Sequence, residues 1–133
     1  MREPIGLSEI TKALIEDAHS DVVGLWAVLW QVKERIPTIT PQEARRATLT
    51  VIAEALAKQA VVAGDFADQD EEMAVFVPWS LRADETIARI QREWDALGRE
   101  PNLGEIVWFV DPQILPVSVS KHPMGKEWRP GPA

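Results

Sequence analysis

Residues 40–79, TPQEARRATLTVIAEALAKQAVVAGDFADQDEEMAVFVPW, decide how this chain is read. Thr40-Pro41-Gln42-Glu43 opens a helix. Threonine accepts a bond from a free first-turn amide, proline suits the first helical position, and a glutamate three residues on reaches back to the cap. Ala44, Thr48, Val51, Ile52, Ala55, Leu56 and Gln59 then recur at three- and four-residue steps and form one small, aliphatic face. Arg45, Arg46, Thr50, Glu54 and Lys58 take the other side. Val61-Val62-Ala63-Gly64 favours strand and ends the helix near Ala60. Val62, Gly64 and Phe66 alternate, as do Met73, Val75 and Val77 against Ala74 and Phe76, and the polar run 67–72 closes them into a hairpin. Pro78 cannot donate to a ladder, so the second strand ends there or lies at an edge. A lone hairpin is unstable in water. Phe66, Phe76 and Trp79 are therefore expected to seat it on helices.

Upstream, Leu7, Ile10, Leu14 and Ala18 mark a first helix, with Ser8 as a candidate cap. The segment 22–36 is apolar on several sides and is expected to run as a central helix ended by Pro37. His19-Ser20-Asp21 separates the two, and two helices are favoured over one kinked helix. Gly24 lowers helicity by roughly 1 kcal/mol relative to alanine and suggests close approach of another backbone. Trp26, Trp30 and Trp94 lie at helical spacings among aliphatic residues and are expected in the core.

Downstream, Ile87, Ile90, Trp94 and Leu97 form an amphipathic stripe after Asp84, the expected cap, with Gly98 as terminator. Asn102 and Glu105 have the spacing of a capped helix start, so 106–110 is expected to be a short helix, with a buried strand as the alternative. From Asp111 onward prolines multiply. An extended arm is expected, with Ile114-Leu115 and Val117–Val119 packing on the body, and 121–133 is expected to be a mobile proline-rich tail. The expected fold is α+β: one mainly helical domain over 1–120, with one antiparallel hairpin in winged-helix-like order and an extended C-terminal arm.

Composition narrows the function. The chain has 133 residues, 46% of them apolar, which suits one packed core. Cysteine is absent, so disulfides, thiolate catalysis and cysteine-ligated metals are excluded. No apolar run nears the roughly 20 residues of a membrane span. The start, Met1-Arg2-Glu3-Pro4, lacks a signal-peptide pattern, and a cytoplasmic location is expected. Net charge is −7, which opposes nucleic acid as a general partner. No nucleophile elbow, glycine-rich phosphate loop or zincin pair occurs. His19 is expected to make a surface hydrogen bond with Glu16, and His122 lies among prolines. No enzyme activity and no cofactor are expected. Asp68-x-Asp70-x-Glu72 begins like a calcium loop, but Met73 replaces the required glycine and no metal is expected.

The expected function is non-enzymatic binding of another protein, a basic one, of which toxin neutralisation is one form. The residues singled out are Asp65, Asp68, Asp70, Glu71 and Glu72, because an acidic patch steers a basic partner. Trp128, beside Lys126, Arg129 and Pro130, is either a partner anchor or part of a disordered end. The alternative is a winged-helix-type DNA-binding regulator using Arg45, Arg46, Thr50 and Lys58, with the acidic hairpin tip arguing against it. A third possibility is self-association through the tail or an open strand edge at Met73–Val77.

Overall fold

The structure is a computed structural model and describes residues 7–120. The expected tail 121–133, with Trp128, lies outside the described residues. The elements in order are α1 (Leu7–Ser20), β1 (Val23–Gly24), α2 (Leu25–Arg35), α3 (Pro41–Ala57), β2 (Val62–Asp68), β3 (Met73–Pro78), α4 (Ala83–Leu97), β4 (Trp108–Val110), a 3-10 turn (Pro112–Ile114) and β5 (Ser118–Ser120). The class is α+β.

Helix α3 is the hub of the helical layer and packs against α1, α2 and α4. Its capping box is made as its sequence dictates: Glu43 N–H donates to Thr40 Oγ1 at 3.1 Å and Thr40 N–H donates to Glu43 Oε1 at 3.2 Å. Ala44, Ala47, Thr48, Val51, Ile52 and Ala55 are buried, and their small side chains let three neighbours close in. The helix ends with Ala60 N–H donating to Ala55 O and Gln59 N–H to Leu56 O, a Schellman pattern that places Gln59 at φ 59°.

The hairpin β2–β3 forms, but it is not alone. It is the middle of a five-stranded antiparallel sheet in the order β1-β4-β2-β3-β5. The expected helix over 106–110 is instead β4, inserted between β1 and β2. Half of the expected helix start is present: Asn102 N–H donates to Glu105 Oε1 at 2.7 Å. Ile106 then takes φ 75°, which turns the chain out of helix, and Val107–Val110 are buried on both sides of the sheet. A short run that is apolar on both faces belongs in a central strand.

The region 7–36 is two helices, separated by Val23–Gly24 acting as an edge strand rather than as helix. Gly24 sits before the first turn of α2, and what approaches it is the Trp108 indole, whose ring atoms lie 3.2–3.5 Å from an added Cβ. Helix α4 starts one residue before Asp84. Its cap position is Arg82, whose N–H donates to Glu85 Oε1 at 3.0 Å.

The two sheet faces bury different sets. One face, with Val61, Ala63, Val107 and Phe109, joins the helical core. Phe66 and Phe76, expected against helices, lie on the other face with Trp108 and Val110, because side chains alternate along a strand. Phe66 meets Phe76 and Trp108 edge-on, with ring centroids 5.7 and 5.9 Å apart. Ile114, Leu115 and Val117 close over this second cluster, which gives the arm its apolar anchor. Beyond it, β5 pairs with β3 at Met73, Ala74 and Val75, and Phe76 N–H donates to Val117 O at 2.9 Å. The strand Met73–Val77 therefore has a neighbour on each side along most of its length and is not the open edge expected.

Candidate interaction surface

The acidic residues of 65–72 do not form one patch. Asp70 builds the hairpin turn: its Oδ1 accepts from Glu72 N–H and Met73 N–H, each at 2.8 Å. Asp68, Glu71 and Glu72 are exposed around that turn. Asp65 pairs with Val77, three residues further down the strand, or about 10 Å from Asp68. It belongs to another assembly. Trp79 Nε1 donates to Asp65 Oδ2 at 2.8 Å, and the Arg89 guanidinium lies 3.8 Å above the Trp79 ring and 3.7 Å from the same carboxylate. Arg89 also bonds Glu93 at 2.8 Å. This cation–π and ion-pair cluster ties the hairpin to α4, a structural use for a residue singled out for binding.

The cations of α3 are similarly divided. Arg45 donates to Asp95 Oδ1 at 2.7 Å and to Gln91 O at 3.2 Å, and lies 5.0 Å from the Trp94 ring centroid. Lys58 faces Glu54 at 3.8 Å. Arg46 and Thr50 are exposed, and both line a shallow cleft with Leu7, Ile36 and Ile39.

Two of the three tryptophans expected in the core are not there. Trp94 is buried, but Trp26 and Trp30 are 37% and 49% exposed. Their partly exposed rings stack on each other, with centroids 6.3 Å apart and planes 22° from parallel. The signal for this was present in the sequence. Leu25, Val28, Leu29 and Val32 complete the buried stripe of α2 by themselves, and Trp26, Trp30 and Lys33 fall on the other side of the helix. That side faces the loop 99–106. Lys33 Nζ lies 2.8 Å from Glu100, and Leu25 N–H donates to Val107 O at 3.2 Å. The loop also carries Leu103, which is 42% exposed. Two parallel hydrogen bonds donated by the Arg99 guanidinium to Glu105, 2.8 Å to each oxygen, hold the loop shut. That pairing, with the Asn102 N–H, holds the Glu105 carboxyl down to about 2.

His19 reaches across the fold rather than along its helix. Its Nδ1 lies 2.8 Å from Asp111 Oδ2, not beside Glu16. That contact and the Gln113 N–H hold the Asp111 carboxyl below its ordinary range. Among the described residues, no group of three or more histidine, aspartate or glutamate side chains is placed to hold a metal ion. No described helix is long and apolar enough to cross a membrane. Compared with protein families, with curated proteins and with solved structures, the chain matches none.

Proposed function

We propose that this chain is a non-enzymatic protein-binding module, and that its partner is a basic protein. The stacked Trp26–Trp30 pair carries this reading. Two large indoles left 37% and 49% exposed, beside the loop 99–106 and outside the buried stripe of α2, are what an interface anchor offers, and tryptophan is enriched among residues that dominate binding energy. The charge of −7 supplies steering toward a basic surface, with Asp68, Glu71 and Glu72 exposed at the hairpin turn as candidate rim contacts. Neutralising a basic toxin in the cytoplasm is one narrower form of this function.

The test is affinity capture from native lysate with the wild-type chain and with W26A/W30A. Both substitutions are at exposed positions, so the variant should keep the wild-type circular dichroism and melting curve. A partner captured by the wild type and released by salt should be lost from the variant. Equal capture by both would remove the tryptophan pair as the binding site.

The winged-helix-type DNA-binding alternative draws less support. Helix α3 has helices on three sides, and Arg45 is engaged within the fold, which leaves Arg46 and Thr50 as the better-placed contacts. Self-association through an edge would now turn on β1 or β5 rather than on β3.

A further inference from the structure

A cleft of about 730 Å³ opens where the end of α3, the ends of β2 and β3, and the start of α4 converge. That volume lies within the range of small-molecule sites. Its walls are largely apolar and include Leu56, Val61, Val62 and Leu81. Thr86, on the first turns of α4, also lines it and is only 2% exposed.

The Thr86 hydroxyl is the unusual group. Three other helical threonines, Thr11, Thr48 and Thr50, each donate to the carbonyl four residues back, at 3.2, 2.7 and 3.0 Å. Thr86 has the same option, since Arg82 O lies within 2.8 Å of its own N–H, yet its hydroxyl makes no hydrogen bond with any described residue. A buried hydroxyl without a partner costs about 1–3 kcal/mol, and native folds rarely leave one. Ser80, a non-glycine residue at φ 60°, lines the same cleft. Strained backbone of this kind concentrates at binding sites.

The charges set the ligand class. Arg82 is the charged residue of the lining, and its guanidinium is already shared between Asp84, at 3.2 Å, and Glu85, at 3.7 Å. An anion would have to compete with those two carboxylates for the guanidinium, and a cation would meet the arginine. We infer that this cleft binds a neutral, mainly apolar small molecule that carries one hydroxyl or carbonyl group, which completes the hydrogen bonding of Thr86. The site is separate from the tryptophan pair on α2 and does not depend on it.

The probe is benzyl alcohol, a small molecule with this chemistry, with toluene as the control lacking the polar group. Methyl-labelled full-length chain is titrated with each and followed by NMR. Benzyl alcohol should shift the methyls of Leu56, Val61, Val62 and Leu81 saturably. T86V keeps the shape and removes the hydroxyl. It should bind benzyl alcohol about fivefold more weakly, the worth of one ordinary hydrogen bond, and bind toluene as the wild type does. T86S should retain the alcohol preference. Without ligand, T86V should melt at or above the wild-type temperature, because it removes an unpaired polar group. A T86V chain that melts lower would show that the hydroxyl has an internal partner and would overturn the inference. So would equal benzyl alcohol affinity in T86V and wild type, or the absence of saturable shifts.

Discussion

At the scale of single residues, Gly64 has less room for a side chain than Gly24 or Gly98. A Cβ there would lie 2.3 Å from Val77 O, 2.6 Å from the Phe76 ring and 2.9 Å from Pro78 Cα. Two of those three contacts are backbone, so a rotamer change cannot relieve them. G64A should cost about 2–3 kcal/mol in urea unfolding, at the upper end of overpacking effects. Glu105 makes a different kind of prediction. Its carboxyl is held near 2 against an ordinary 4.5, so folding favours the charged form. The stability this contributes is present above the unfolded value of 4.5 and is lost as pH falls toward about 2. E105Q removes the titrating group. Its urea midpoint should be below wild type at neutral pH, and the gap should narrow at about pH 3. A gap that stays constant would mean that the Arg99 fork contributes nothing through charge.

At the scale of elements, the sheet explains why the hairpin is stable. Strand β2 is paired on both sides, and β3 receives β5 along its outer edge. Val117 performs two tasks in that pairing: its carbonyl accepts from Phe76 N–H, and its side chain packs on the Phe76–Trp108–Val110 cluster. V117D puts a charge against that apolar cluster and should detach the arm, uncovering β3. Unpaired edges recruit other strands. Sedimentation velocity should therefore show more large species for V117D than for wild type at equal concentration. An unchanged profile would mean that β5 does not guard the edge. Helix α2 shows the opposite economy. Four aliphatic residues complete its buried stripe, and both of its tryptophans are left outside.

At the scale of the whole molecule, charge and shape point the same way. In the proposed function, a net charge of −7 would act at long range on a basic partner, whereas the indole pair would act only on contact. The two contributions separate by salt. Added salt should slow association of the partner captured in the W26A/W30A comparison while leaving its dissociation rate nearly unchanged, and loss of the tryptophans should speed dissociation. Insensitivity of association to salt would remove steering from the proposal. Of the acidic positions singled out, the fold divides the roles: Asp65 bonds Trp79 and Arg89, Asp70 shapes the turn, and Asp68, Glu71 and Glu72 remain exposed at the tip.

What the chain determines locally was legible in its residues. Thr40, Pro41 and Glu43 start α3 whatever lies around them, because the cap bonds join neighbours in sequence. The same holds for the stripe of α4, for Gly98 at its end with φ 73°, and for the alternation of β2 and β3. Tertiary contact decided the rest. Val107–Val110 suits helix or strand equally, and the gap between β1 and β2 made it β4. Phe66 and Phe76 have one face each by alternation, but which face meets helices depends on the sheet they join. His19 found Asp111, 92 residues away, and Asp65 found Arg89, because a polar side chain takes its partner from space rather than from sequence. The Thr86 hydroxyl, which has no partner among the described residues, is of the same kind. Burial set by α3 and the sheet, and not the threonine itself, turns an ordinary helical residue into a candidate ligand contact.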